Sequence, residues 1–382
     1  MKLEILLFLS LIGSTFSYFI YPAILFFLPK KRHLNSDSND ALPNPLPFIS
    51  IIITAYNEES RIQQKIDNTL ATKYPGDKRE ILIASDGSTD KTNQFAREYE
   101  SRDVQLIEVT DRKGKENAQL QAIKHASSEI LIFSDVATQI PENAFHIIAE
   151  IFEDPSIGAI SSEDRFITED GKVAGEGAYV KYEMWLRKLE TEINSLVGLS
   201  GSFFACRKTI CDNWDINVPS DFNTALNCVK NGYAAVSSPE LLGYYPNIKD
   251  ESKEYQRKLR TVIRGMAALG SNISVLNPFK FGFFAFEVFS HKLMRWLVPW
   301  FMLSLLISNL LVWNNNLLYT ILLVGQLAFY TLAILGFTSG ALRKFTLVKI
   351  PYFFIQVNIA IAHAGMQFIR GKRITKWEPS KR

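Results

Sequence analysis

The sequence predicts an α/β protein in which a mostly parallel, helix-covered sheet is held between apolar helices at the two ends of the chain. Three observations carry this. From Phe48 onward, short apolar runs with strand character alternate with stretches of helical periodicity. Two of those runs, EILIASD at 80–86 and EILIFSD at 129–135, each bring an aspartate to the carboxyl end of a strand, where open α/β sheets place their ligands. The apolar residues, 47% of the 382, are also unevenly distributed. Leu3 to Leu28 is almost continuously apolar and apolar runs recur from Phe281 to Ile369, with ordinary soluble composition between them.

Charge and cysteine usage narrow the class. A net charge of +3 is too mild to argue for nucleic acid, and no nucleic-acid-binding module is present in the sequence. The basic residues gather instead beside apolar runs, as Lys30-Lys31-Arg32, Arg343-Lys344 and Arg370 with Lys372-Arg373, the pattern of cytoplasmic membrane flanks. Cys206, Cys211 and Cys228 form no CxxC pair, and no paired histidines complete a zinc site, so all three read as packing residues in a reducing compartment.

Residues 1–29 are expected to be an uncleaved transmembrane anchor, because the apolar stretch runs past signal-peptide length into Lys30-Lys31-Arg32. A polar, proline-broken linker covers 30–47. The soluble domain spans 48–270, with strands expected at Ile49–Thr54, Ile81–Ala84, Gln105–Val109 and Ile130–Phe133, separated by helices at Arg61–Thr69, Thr92–Tyr99 and Lys115–His125. No GxGxxG follows the first strand, so a dinucleotide dehydrogenase is poorly supported. Beyond these lie a helix at Pro141–Phe152, a short strand at Ile157–Ser161, an amphipathic helix at Tyr179–Ser195 and a glycine-hinged strand around Gly201. A further helix opens at Ser220-Asp221, with one of these two residues at its N-cap. The stretch Lys249–Gly265 is expected to be a basic helix.

An interfacial segment at 271–292, a transmembrane hairpin at 293–337 turning at Asn314-Asn315-Asn316, a third apolar segment at 345–369 and a basic tail at 370–382 complete the chain. The third segment carries Lys349, Pro351, Asn358 and His363, and a full span there would put the RGKR cluster outside. It is expected to be interfacial or re-entrant, with a fourth span as the alternative.

The motifs, taken in order, resemble a known family. ITAYNEE, SDGSTD, Gly114-Lys115, FSDVAT, and SDF ahead of a helix ending in NGY are similar to the membrane-bound bacterial family 2 glycosyltransferases of GT-A fold, in the cellulose-synthase-like group. The resemblance covers about Phe48 to Arg264 and continues into HKLMRWLVPW. It implies inverting transfer of a sugar from a nucleotide-diphosphate sugar, usually a UDP-sugar, to a hydroxyl acceptor. Such a displacement needs a base on the acceptor and charge stabilisation on the departing diphosphate.

By the same resemblance, Asp86 contacts the nucleobase in a pocket lined by Ala55, Tyr56 and Glu58. Asp90 serves the nucleotide or caps the next helix, Lys115 approaches the diphosphate, Asp135 matches the first acid of the DxD motif, and Asp221 is the catalytic base. Gly201, Gln256, Arg257 and Arg260 are candidates for the acceptor or the diphosphate, Arg forks being matched to phosphate geometry.

Two departures from the family pattern matter. The DxD motif reads Asp135-Val136-Ala137, which leaves Asp135 as the one acidic ligand for Mg²⁺ or Mn²⁺, with lysine or arginine as partial substitutes. Gln256 is followed by no Arg-Trp pair, so the QxxRW motif of processive synthases is absent. The expected function is addition of one sugar to a lipid-linked or membrane-proximal saccharide acceptor in cell-surface polysaccharide or glycolipid assembly. The expected location is the inner (plasma) membrane, multi-pass, with the catalytic domain cytoplasmic. A processive synthase and a catalytically silent nucleotide-binding scaffold are the alternatives.

Overall fold

The computed structural model describes residues 2–32, 45–167, 178–246 and 251–374. Most of the expected linker, the start of the basic helix at Lys249 and most of the basic tail lie outside the described residues. The chain divides into two compact units, one holding 28–250 and 267–286, the other holding 1–27, 251–266 and 287–373.

The first unit is built on a seven-stranded sheet of β1 (Ile49–Ala55), β2 (Arg79–Asp86), β3 (Val104–Val109), β4 (Ile130–Asp135), β5 (Ile157–Ile167), β6 (Phe203–Arg207) and β7 (Ala234–Pro246). Their spatial order is β3-β2-β1-β4-β6-β5-β7, parallel except for β6, which runs antiparallel to both neighbours. The continuous apolar character of β1 follows from burial on both faces. Ile49, Ile51 and Ile53 enter one core cluster with Ile62, Ile66, Phe145 and Ile148, while Ile52 enters the other with Ala118, Ala122, Phe133 and Phe204. The helices that cover the sheet are α1 (Ile62–Leu70), α2 (Thr92–Arg97), α3 (Lys115–His125), α4 (Ala144–Ile151), α5 (Ala178–Ile193) and α6 (Ser220–Lys230).

Three differences from expectation have physical causes. Strand β5 runs eleven residues rather than five, because it pairs with β7, a thirteen-residue strand that sequence patterning does not predict. Pro239 inside β7 argues against a strand, yet β7 is an edge strand and the ladder shifts register opposite it, between Ser161 and Glu163. Helix α4 begins at Ala144 behind Asn143, later than Pro141 suggests. The N-cap of α6 is Pro219, not Ser220 or Asp221, so both of those residues lie in the first helical turn.

Among the described residues, four helices are long and apolar enough to cross a membrane, Lys2–Phe27, Phe283–Asn315, Leu317–Thr338 and Thr346–Ile369, and apart from 283–286 they belong to the second unit. The second starts ten residues before the expected Leu293, because a π-helical turn at Phe289–Leu293 lets the helix run through what reads as a separate interfacial piece. Asn316 caps Leu317–Thr338 by accepting from the Leu318 N–H, which fixes the hairpin at the asparagine run. Thr346–Ile369 is one unbroken helix of 24 residues with Pro351 inside it. Close packing between the first two helices occurs where Gly13 meets the ring of Phe301 and Ser10 bonds to Ser304 at 2.8 Å. The basic helix α7 (Glu251–Ser271) includes Tyr255, whose hydroxyl lies 3.0 Å from His363 Nδ1.

Candidate active site

The carboxyl edge of the sheet assembles the candidate site within the first unit. Asp86 ends β2 and is 3% exposed. Its carboxylate accepts from the backbone N–H of Lys113 at 2.9 Å and from that of Gly114 at 2.9 and 3.1 Å. A buried carboxylate is tolerated where donors answer it, and here the donors are the chain that enters α3. Gly114 takes φ 108°, a conformation costly for any residue with a Cβ, and this lets the chain turn from Asp86 into Lys115.

Lys115 opens α3 and reaches across to β4. Its Nζ lies 2.5 Å from Asp135 Oδ1 and 2.9 Å from the carbonyl of Gly201. The Asp135 side chain keeps 26% of its surface exposed, against 10% for Lys115, so the pair meets solvent mainly through its carboxylate. On the far side of Gly201 stands Asp221. A Cβ at residue 201 would sit 2.7 Å from Asp221 Oδ2, so glycine is what lets the carboxylate lie against this turn. The other oxygen, Oδ1, accepts from the Phe222 N–H at 2.7 Å in the first turn of α6, where the helix dipole favours negative charge. Asp86 is thus tied through the Gly114 N–H to the start of α3, and Lys115, Asp135, Gly201 and Asp221 follow in contact at the same edge.

The other residues singled out from the sequence divide into two sets. Ala55 ends β1, in register with Ser85, and the ring of Tyr56 carries the Arg112 guanidinium 3.8 Å above it. Asp90 ties two loops together, accepting from the Glu59 N–H at 3.1 Å and the Thr92 N–H at 3.0 Å, while Lys91 is the N-cap of the helix that follows. The Glu58 N–H donates to Thr92 Oγ1 at 2.8 Å and the Glu58 carboxylate lies 3.7 Å from Arg61. Gln256, Arg257 and Arg260 lie on α7, in the part of that helix that belongs to the second unit.

Several side chains at this edge carry no signal in the sequence. Arg112 is one. Asp164, at the carboxyl end of β5, accepts from Ser200 Oγ at 2.6 Å and Ser202 Oγ at 2.7 Å, and so braces the turn that presents the Gly201 carbonyl. Glu163 beside it is buried, which pushes its carboxyl above the usual range against the pull of Arg165 and Arg187. Lys65 of α1 is 2% exposed, and burial lowers its ammonium to about 7 although the charge of Asp135 works in the other direction. Among the described residues, no group of three His, Cys, Asp or Glu side chains is placed to hold a metal ion.

This sheet order, with acids gathered at its carboxyl edge, defines a GT-A-like fold. The mannosyltransferase PcManGT of Pyrobaculum calidifontis, whose structure is described as a complex with GDP-Man and Mn²⁺, superposes with a TM-score of 0.72 at 19% identity, over 97% of this chain and 100% of that one. Residues 50–213 match the family model described as glycosyl transferase family 2. The poly-beta-1,6-N-acetyl-D-glucosamine synthase of Staphylococcus aureus is 29% identical over 204 residues, which is 52% of this chain and 47% of the relative. That of Staphylococcus epidermidis is 25% identical over 218 residues, 54% and 50% of the two chains. The chain thus spans about half the length of the curated relatives it matches.

Proposed function

We propose that the chain is an inverting membrane glycosyltransferase that moves one sugar from a nucleotide-diphosphate sugar, a UDP-sugar first, to a lipid-linked or saccharide acceptor in cell-surface polysaccharide or glycolipid synthesis. The observation that supports this reading is that Asp86 holds the Gly114 N–H just before Lys115, while Lys115 bonds Asp135 and the Gly201 carbonyl and Asp221 lies against Gly201, so three acids far apart in sequence are gathered at one edge of the sheet.

In this reading the nucleobase lies beside Asp86 and the Tyr56–Arg112 stack, and the diphosphate lies against Lys115. Asp221 Oδ2 takes the proton of the acceptor hydroxyl as its oxygen attacks the anomeric carbon. The new C–O bond forms on the face opposite the one that breaks, so the configuration inverts, and the nucleoside diphosphate leaves with the bonding electron pair. Lys115 stabilises that departing charge, the kind of preorganised electrostatic help that supplies much of an enzyme's rate. A divalent cation, as named with the Pyrobaculum enzyme, would find Asp135 as its single acidic ligand here, Ala137 replacing the second, and its chemistry would be further neutralisation of the diphosphate. Helices able to cross a membrane support a membrane-proximal acceptor, and the lysine-arginine flanks support a cytoplasmic catalytic domain. A second reading, a processive synthase, is favoured by one observation: the staphylococcal relatives are named as makers of a polymer.

The test uses the full chain in nanodiscs with radiolabelled UDP-sugars and GDP-mannose, with and without Mn²⁺. Transfer or slow hydrolysis of one donor is expected, reduced about 10²–10⁴-fold by Asp221→Asn while nucleotide affinity holds, as for loss of a general base. Turnover unchanged in Asp221→Asn, or absent with every donor in the wild type, overturns the reading. A long membrane-retained product selects the processive form.

A further inference from the structure

Helix α1 packs one polar pair, Lys65 and Asn68, three residues apart and therefore on one face, against the loop that leaves β4. Lys65 Nζ donates to Ser134 Oγ and to the Thr138 carbonyl, both at 2.7 Å. Asn68 brackets the next turn of the chain: its Nδ2 donates to the Ile140 carbonyl at 3.0 Å and its Oδ1 accepts from the Ile140 N–H at 2.9 Å. Between these anchors lies the turn closed by the Thr138 N–H on the Asp135 carbonyl, the turn that presents Asp135 to Lys115. Its central residues are Val136, which packs into the core, and Ala137, neither of which can hydrogen-bond through its side chain.

We infer that Lys65 is a positioning residue of the donor site, a buried strut that fixes the Ser134–Thr138 turn so that Asp135 holds Lys115 in register with the donor diphosphate. The inference rests on the reading of this cleft as a nucleotide-sugar site. Lys65 does not touch the donor. It acts through two acceptors at opposite ends of the turn, so its removal takes away the side-chain strut across the turn and leaves the flanking backbone bonds, Asp135 N–H on the Ser202 carbonyl and Gln139 paired with Tyr244, together with the Asn68 bracket.

The position distinguishes a strut from a packing residue. A buried amine with two partners is an expensive way to hold a fold, and a hydrophobic residue of similar volume in such a place is often neutral or stabilising. Lys65→Met should therefore leave the melting temperature unchanged or raised, while donor binding weakens because the Asp135 turn is no longer fixed.

The experiment is calorimetric titration of UDP onto the full-length protein in nanodiscs, with melting temperature and UDP-sugar hydrolysis measured in parallel, for wild type, Lys65→Met and Ser134→Ala. The expected result is UDP affinity about tenfold weaker in Lys65→Met with thermal stability held, a raised KM for the donor exceeding any loss in kcat, and a smaller fall of about threefold in Ser134→Ala, which removes one of the two acceptors. Should Lys65→Met fail to fold, Ser134→Ala carries the test alone. UDP bound by these variants as tightly as by the wild type overturns the inference and leaves the glycosyltransferase reading standing. A wild type that binds neither UDP nor GDP overturns both.

Discussion

Two stretches of this chain are nearly the same sequence and do different work. EILIASD at 80–86 and EILIFSD at 129–135 form β2 and β4, which flank β1 on either side and end in an aspartate at the same edge. Asp86 is sealed in and holds two backbone N–H groups of the chain entering α3. Asp135 stays partly open and is answered by a side-chain ammonium, that of Lys115, rather than by backbone. The strand sequence decides where an acid is delivered. What lies across from it decides whether the acid is an architectural acceptor or an electrostatic one.

That contrast predicts opposite phenotypes. Asp86→Ala leaves the buried Gly114 N–H without its acceptor, while the part-buried Lys113 N–H can turn to water, so a loss of about 1–3 kcal/mol in stability is expected, read as a fall in melting temperature with weakened UDP binding following from the displaced Lys113–Lys115 turn. A melting temperature unchanged in Asp86→Ala would show that those bonds are dispensable. Asp135→Ala should do the reverse. Its melting temperature should stay within a few degrees of wild type, while donor turnover falls about 100-fold, equivalent to about 2.7 kcal/mol in the transition state. A variant that is unstable yet fully active per folded molecule would erase the distinction between the two acids.

The smallest effect sharpens the comparison from behind Asp135. Lys65 titrates at about 7 in the folded chain and at its usual 10.5 once unfolded, so between those values the unfolded state binds more protons and stability rises with pH. Each pH unit in that window contributes at most about 1.4 kcal/mol. Chemical denaturation of wild type and Lys65→Met between pH 7 and 9 should show a gentler rise in the variant. Parallel pH profiles would mean that Lys65 is better solvated than its burial implies.

The legible and illegible parts of the site separate along the same line. Strands β1, β2 and β4 read directly from the sequence because each is a near-continuous apolar run buried on both faces, β3 reads from its alternation at the sheet edge, and Asp86, Asp135 and Lys115 sit at positions fixed by those elements and the helices between them. Strand β7 was hidden by Pro239, whose missing N–H matters little on an edge. Lys65 reads as an ordinary polar residue of an amphipathic helix, and Asp164 with Ser200 and Ser202 as loop polarity, since their partners lie 69, 36 and 38 residues away. Such contacts are made by tertiary packing, and no local period encodes them.

The central claim is that one cleft at the carboxyl edge of this sheet receives a nucleoside diphosphate. An experimental structure of the full chain with UDP bound tests it most directly. The account predicts a diphosphate oxygen within hydrogen-bond distance of Lys115 Nζ, the base beside Asp86 and Tyr56, and open space between the phosphate and Asp221 Oδ2 for a sugar. UDP seated elsewhere, with the Lys115–Asp135 pair untouched, would contradict it.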